Sequence, residues 1–203
     1  MMHRVLVLSL LAALSRPTAP PHPERVIAHL MASLQETDAQ RVSRQEEQLQ
    51  FDHFDLATAW TVGSAIRALA ESRNQHVAID IELNGHPLFF SAMPGTTPDN
   101  IDWIRRKKNV VNRFKRSSYA IALDMQQQKT TLLDRLALPL RDYVSAGGCF
   151  PLKIRGTGMV GTITVSGLPD RFDHELIVEA LAKQLGQSYE SLALEKPPAA
   201  PAK

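Results

Sequence analysis

The chain has 203 residues and a mass of 22.5 kDa, and 44% of its residues are apolar and 22% charged. These proportions are typical of one globular domain, which at this length can build a core without disulfides or metal ions. The single cysteine, Cys149, excludes a disulfide framework, and no His and Cys cluster has zinc-ligand spacing. The net charge of +2 and the lack of a membrane-length apolar run predict neither a nucleic-acid nor a membrane partner.

The two ends of the chain are expected to lie outside the folded domain. Residues 1–34 form a leader in which Val5 to Leu14 is an apolar run. This run resembles a short secretory signal, but we favour the alternative of a disordered or untranslated leader. Residues 35–188 are the predicted domain, and the Pro/Ala-rich residues 189–203 are a predicted disordered tail. We expect a cytoplasmic protein, or a secreted or periplasmic one if residues 1–15 act as a signal peptide.

The first predicted elements are two helices and a hairpin. A polar helix from about Gln35 to Leu49 is expected to cap the domain or a partner, and a second helix begins after Asp55 and ends near Asn74. Alternating apolar residues from Val77 onward then lead into the turn Asn84-Gly85, which favours the positive φ angles of a type I′ hairpin. Since Pro87 cannot donate a ladder hydrogen bond, the returning strand is expected either at a sheet edge or to begin after Pro87.

A third helix is predicted from the N-cap Thr97 to about Lys115, with Pro98 in its first position. Its spacing predicts four inward residues. These are Ile101, Ile104, Val111 and Phe114. The next segment, Tyr119 to Met125, has the alternation of a strand but the alanines and the serine cap of a helix, and we predict a helix.

The remaining elements are a second hairpin and a last helix. The hairpin runs from Phe150 to Ser166 and turns at Gly156-Thr157-Gly158. Asp170 is the expected N-cap of the last helix, which Gly186 ends.

Several motifs occur in a characteristic order along the chain. They are Pro94-Gly95-Thr96-Thr97-Pro98-Asp99-Asn100, Trp103-Ile104-Arg105-Arg106-Lys107, Gly147-Gly148-Cys149-Phe150-Pro151, Gly161 to Pro169, and Asp173-His174. Over about Gln45 to Leu185 the chain thereby resembles an uncharacterised family grouped with the GlcG/HbpS-like haem-degrading-domain proteins. The resemblance implies an α+β fold, a profilin-like antiparallel sheet of about five strands flanked by helices. It also implies a homo-oligomer, at least a dimer, and makes haem a possible cofactor.

Haem iron requires a donor such as His, Cys, Met or Tyr. His174, in the first turn of the last helix, is the best candidate for a ligand-binding role, and a helix-start histidine that bonds a neighbouring loop is the alternative. His86 is expected on the surface, and His76 at a strand boundary. Cys149 lies among apolar residues and is expected to be a buried, inert thiol. No metal ligand set is predicted.

The third helix is strongly basic. From Ile101 to Arg116 it carries seven Lys or Arg residues against Asp102 alone. Such a helix attracts a carboxylate, a phosphate or an acidic partner, and the alternative is a solvated face. Arg105 and Arg106 are expected near the helix start, where their forked donors fit an anion.

Two functions stay open, and the sequence does not decide whether the protein is an enzyme. In the first, the protein binds a small anionic ligand, haem or another carboxylate or phosphate compound, in a pocket beside the basic helix. The candidate ligand-binding residues are Thr96, Thr97, Asp99, Asn100, Arg105, Arg106, Ser166, Gly167 and His174. In the second, the protein is a non-enzymatic oligomeric scaffold or a module that binds a client protein.

Overall fold

The structure is a computed structural model that describes residues 36–195. The predicted leader and the tail from residue 196 lie outside the described residues. The helices of the described part are α1 (Asp38–Gln48), α2 (Leu56–Ser72), α3 (Pro98–Phe114), α4 (Ser118–Gln127), α5 (Leu132–Leu136), α6 (Asp170–Gln184) and α7 (Tyr189–Leu192). Its strands are β1 (Ala78–Leu83), β2 (His86–Ala92), β3 (Cys149–Ile154) and β4 (Gly158–Ser166).

The strands form one antiparallel sheet in the order β2-β1-β4-β3. Both predicted hairpins are confirmed. Asn84 and Gly85 have φ angles of 50° and 82°, as the first turn requires. The strand that contains Pro87 lies at a sheet edge, also as predicted.

The α+β fold is confirmed, but the expected number of about five strands is wrong. Residues 36–195 contain four strands. Phe51 makes a single parallel bridge with Ile154 at the β3 edge, and its N–H donates to the Lys153 carbonyl at 2.9 Å. The pairing goes no further, because Asp55 accepts a hydrogen bond from the N–H of Thr58 and begins α2.

The two faces of the sheet differ in chemistry, because alternate residues of a strand point to opposite faces. One face is apolar and packs on α2 and α6. Its strand residues in this core are Ile79, Ile81, Phe89, Phe150, Leu152, Ile163 and Val165. The opposite face, which α3 covers, is polar. Its buried residues include Asp80, Thr162 and Thr164.

Helix α3 therefore packs on the sheet partly through charge. The ammonium of Lys108 lies 3.0 Å from an oxygen of Asp80 and 2.8 Å from an oxygen of Glu82. Ile104 is buried as predicted, whereas Ile101 is 52% exposed and does not face inward. The buried stripe of α3 also includes Lys107. The charge pattern of the sequence did not predict that this lysine is buried.

The predicted helices α4 and α6 are confirmed with one correction, whereas α5 was not predicted. Tyr119 to Met125 is helical, and the hydroxyl of Ser117 caps the start of α4 by accepting from the N–H of Ala120. Pro169, not Asp170, is the N-cap of α6, and Asp170 supplies the acidic side chain of its first turn. A proline fits this position because its φ angle is fixed near the observed −58°.

Residues 189–195 differ from the disordered tail that the composition predicted. Tyr189–Leu192 form α7, and the side chain of Leu192 is fully buried in the core. None of the helices within residues 36–195 is both long and apolar enough to cross a membrane.

Candidate functional site

The N-terminal ends of α3 and α6 meet beside the last residues of β4, where they enclose a cavity of about 280 Å³. We call it the polar cavity. It is lined by Asp99, Asn100, Trp103, Lys107, Ser166, Gly167, Leu168, Asp170 and Asp173. Four of the predicted site residues are thus brought together, namely Asp99, Asn100, Ser166 and Gly167. The other five lining residues lie on the basic helix and on the turn from Ser166 to His174, the segments expected to form the pocket, but were not named as site residues.

Asn100 connects the start of α3 to the end of β4. Its side-chain amide donates to the carbonyl and the hydroxyl of Ser166, at 3.3 and 3.4 Å. Its amide oxygen accepts from the N–H of Thr97, the N-cap of the helix. Thr96 is turned back along the preceding loop, where its hydroxyl donates to the Met93 carbonyl. Both threonines lie outside the cavity lining and hold the loop that shapes it.

A buried ion pair forms part of the cavity wall. The ammonium of Lys107 lies 2.7 Å from a carboxylate oxygen of Asp173 and donates to the Val165 carbonyl at 3.1 Å. The other oxygen of Asp173 accepts from the N–H of Leu168. Lys107 is 2% exposed and Asp173 1%. Burial raises the pKa of Asp173 to about 6, although Lys107 opposes the shift.

Gly148 makes room for this pair. It has a φ angle of +110°, and a Cβ atom there would lie 2.7 Å from the Lys107 nitrogen and 2.6 Å from the Val165 carbonyl oxygen. A side chain would therefore collide with the ammonium and with its backbone acceptor. The Gly147-Gly148 motif thus has a steric role at the site.

The two predicted arginines lie outside the cavity lining. Arg105 is bonded to Asp102 and Asp142, and its hydrogen bond lowers the pKa of the Asp102 carboxyl. The Nε atom of Arg106 lies 2.8 Å from Asp102, and its guanidinium stacks 4.3 Å from the ring centre of Trp103. Both arginines are engaged by Asp102 of their own helix, and Arg105 is also engaged by Asp142 of a later loop.

His174 is fully buried, next to the rings of Tyr119 and Phe150, and does not line the polar cavity. Its Nε2 lies 2.8 Å from the side-chain oxygen of Gln45, whose amide in turn donates to the Leu192 carbonyl. This arrangement assigns the ring proton to Nε2 and leaves Nδ1 without a partner among the described residues. Burial lowers the pKa of His174 to about 3, so the ring is neutral.

The other candidate donors follow the sequence expectations. His76 and His86 are exposed. Cys149 is buried, and burial raises the pKa of its thiol to about 12. Within residues 36–195 no group of three or more His, Cys, Asp or Glu side chains is arranged to hold a metal ion.

A larger cavity of about 770 Å³ lies beside α6 and α7, and we call it the C-terminal cavity. Arg73, Arg171 and Glu179 line it, together with Tyr189 and Glu195, the last described residue. Its charges are largely paired: Arg73 binds Glu179, and Arg171 binds Asp38.

The model of the family described as "Haem degrading protein HbpS-like" matches residues 54–182. The chain belongs to this family. A UPF0303 protein of Azotobacter vinelandii is 57% identical over 158 residues, which are 78% of this chain and 95% of that protein. A UPF0303 protein of Burkholderia thailandensis is 55% identical over 159 residues, 78% of this chain and 96% of that protein.

Solved structures show the same fold. The Ybr137w protein has a TM-score of 0.69 at 26% identity, over 83% of this chain and 96% of that one. HbpS has a TM-score of 0.52 at 24% identity, over 68% of this chain and 94% of that one. A complex of PduOC with haem has a TM-score of 0.55 at 18% identity, over 64% of this chain and 93% of that one. At these identities the likeness to HbpS and PduOC concerns the fold.

The donor chemistry of the two cavities does not fit haem. None of the residues that line the polar cavity is a His, Cys, Met or Tyr, the usual axial donors to haem iron. Tyr189 lines the C-terminal cavity, but its hydroxyl donates to Glu175 at 2.8 Å. Burial raises the pKa of Tyr189, and so does the Glu175 carboxylate, which disfavours the phenolate that iron would need.

Removing the charge of Asp173 alone is expected to destabilise the protein strongly. Asp173→Asn leaves the buried Lys107 ammonium without a counter-charge, so the free energy of unfolding should fall by about 3 to 5 kcal/mol. The double variant Lys107→Met/Asp173→Asn should lose less than the sum of its single variants, because it leaves no uncompensated charge. Urea unfolding followed by circular dichroism measures each free energy.

The matched control for this cycle is the exposed pair of Arg155 and Asp52. Asp52→Asn should change the free energy of unfolding by about 0 to 1 kcal/mol, because solvent screens a surface pair. Additive losses at Lys107 and Asp173 would contradict the coupling of the two charges.

The buried His174 is expected to make the protein acid-sensitive. Its pKa is about 3 in the folded chain and about 6.5 when unfolded, so only the unfolded chain gains this proton between these values. Its contribution to stability is present above pH 6.5 and falls by about 2 kcal/mol by pH 5. The test is the free energy of unfolding at pH 7 and pH 5.

His174→Gln should remove this part of the pH dependence, whatever it does to stability at pH 7. The comparison of the two chains also cancels Asp173, whose raised pKa acts in the opposite direction between about pH 6 and 4. Equal pH slopes for the two chains would show that His174 is not the group responsible.

Proposed function

We propose that this protein binds a small ligand in the polar cavity through an anionic or hydrogen-bond-accepting group, with Lys107 as the receiving cation. The observation that carries the proposal is the state of the Lys107 ammonium. It has three N–H donors, and its two acceptors among the described residues are Asp173 and the Val165 carbonyl. One donor is left in a side chain that forms part of the cavity wall.

The burial of two charged groups at the site supports the same proposal. Two charged groups are buried here, and a buried pair is often less stabilising than apolar side chains of the same size. A buried carboxyl group with a raised pKa beside a cavity, such as Asp173, is typical of binding sites. At about 280 Å³ the cavity is just below the range for drug-sized ligands, which favours a small metabolite over haem.

Small carboxylates and phosphate are the probes for this proposal, and Trp103 is its reporter. The indole N–H of Trp103 donates to Asp99 at 2.9 Å on the cavity wall, and the chain has two tryptophans. We expect titration with acetate or phosphate to shift the nuclear magnetic resonance of this N–H saturably. Trp60→Phe assigns the resonance, because Trp60 does not line the cavity.

Ser166→Ala removes a hydroxyl from the cavity wall and should weaken the binding of these probes. Lys107→Met should abolish the binding, and its fold is checked by circular dichroism before titration. Haemin should leave the Trp103 resonance unshifted. A Trp103 resonance that no carboxylate or phosphate moves, or that moves equally in Lys107→Met, would contradict the proposal.

An exposed apolar face favours self-assembly as a second role. Leu56 and Trp60, one turn apart on α2, are 67% and 68% exposed. The Trp60 ring packs edge-on at 5.7 Å from Phe89 of the edge strand β2. Apolar patches and free strand edges are typical of contacts between chains. We propose that this face joins copies of the chain into a homo-oligomer of at least two subunits.

Light scattering at micromolar concentration tests this assembly. The unsubstituted chain should give at least twice the mass of 22.5 kDa, and Trp60→Glu should lower it, because a charge cannot be buried in an apolar contact. Leu133→Glu, which adds the same charge at an exposed leucine of α5, is the control. A monomeric mass for the unsubstituted chain would contradict the assembly, and an unchanged mass for Trp60→Glu would contradict the face.

A further inference from the structure

We infer that the ligand of the polar cavity is a small zwitterion, whose ammonium group lies at Asp99 and Asp170 while its carboxylate lies at Lys107. This inference rests on the proposed function and names the second charge of the same ligand. Two observations support it. One is the charge balance of the cavity wall, and the other is that these two carboxylates have no cationic partner among the described residues, whereas most neighbouring acids have one.

The cavity wall carries an excess of negative charge. Lys107 and Asp173 neutralise each other at 2.7 Å, which leaves the carboxylates of Asp99 and Asp170. Two helix N-terminal ends meet here, and each contributes roughly half a positive charge. About one negative charge is left, so a ligand that also carries an ammonium group should be held more tightly than a purely anionic one.

Asp99 and Asp170 have no cationic partner among the described residues. Asp99 accepts only from the neutral indole of Trp103, and no ion pair involves Asp170. Most neighbouring acids are paired: Asp102 contacts two arginines, and Asp173 contacts Lys107. The first turn of a helix favours an acid, which accounts for one carboxylate on each helix. It does not account for both of them lining one cavity.

Lys107 is the independent observation that places a ligand here. Its side chain is almost fully buried, and one of its three N–H groups has no acceptor among the described residues. A carboxylate would satisfy this N–H with a charge-assisted hydrogen bond. The anionic and the cationic group of the ligand therefore have separate, oppositely charged positions on the same wall.

The geometry of α3 limits the distance between these positions. Asp99 and Lys107 are eight residues apart, which is about 12 Å along the helix axis. Long side chains of a helix lean toward its N-terminus, so the ammonium of Lys107 lies closer to Asp99 than its Cα atom does. This spacing suits an amino acid whose charges are separated by a few carbon atoms.

The test is a series of ω-amino carboxylates, namely β-alanine, 4-aminobutyrate and 6-aminohexanoate, titrated while the Trp103 resonance is observed. The matched controls are propionate, butyrate and hexanoate, which lack the ammonium group, and the corresponding alkylamines, which lack the carboxylate. At least one amino carboxylate should bind about tenfold more tightly than the carboxylate of its own length, the effect of one charge-assisted hydrogen bond.

Asp170→Asn should remove this tenfold difference between an amino carboxylate and the carboxylate of its own length. Asp134→Asn, at the first-turn acid of α5, is the control because Asp134 does not line the cavity. If amino carboxylates bind no more tightly than carboxylates, the zwitterion is overturned and the proposed function stands. If none of these probes binds, or if alkylamines bind as tightly as amino carboxylates, the proposed function fails as well.

Discussion

The buried contact between Lys107 and Asp173 joins the elements that make up the site. Lys107 belongs to the helix on the polar face of the sheet, and Asp173 belongs to the first turn of α6, which packs on the apolar face. The same ammonium holds the carbonyl of Val165 near the end of β4. One cation therefore fixes two helices against one strand. Because the groups around it are buried, each of them must keep its partner, and the local structure cannot shift without breaking a charge contact.

The buried charge contacts are needed because one face of the sheet is apolar and the other is polar. The apolar face buries its strand residues against α2 and α6 by the hydrophobic effect alone. The polar face carries Asp80 and Thr164, which an apolar helix could not cover without leaving polar groups unsatisfied. A helix with lysines at consecutive positions meets this need, since Lys108 binds Asp80 and Glu82 of the sheet, while Lys107 binds the Val165 carbonyl and Asp173. Much of the positive charge of α3 is thus used within the fold and does not form a free basic surface.

Local patterns in the sequence predicted the hairpins, the α3 cap at Thr97 and the helical state of α4 correctly, because these depend on neighbouring residues. The burial of Lys107 was missed, since a run of basic residues is usually solvated and its acid lies 66 residues further along the chain. One local signal was present: Lys107 follows Ile104 by three residues and precedes Val111 by four, the spacing of the buried stripe. His174 is the opposite case, a predicted site residue that is fully buried in the structure. Its sequence position is compatible with a pocket, but its burial depends on Gln45, a residue of a distant helix.

Membership in the haem-degrading family and the chemistry of this cavity lead to separate conclusions. Family membership accounts for the fold, and the motifs that carried the resemblance converge on the polar cavity: Asp99 and Asn100 at one helix start, Gly167 at the strand end, Asp173 at the other helix start. The donors gathered there are carboxylates, an amide, a hydroxyl and one ammonium, which recognise charge and hydrogen bonds and are not the usual axial donors to haem iron. A shared fold can hold different ligands, because the ligand is selected by the side chains of the site. In this chain those side chains support the proposed binding of a small molecule with two opposite charges.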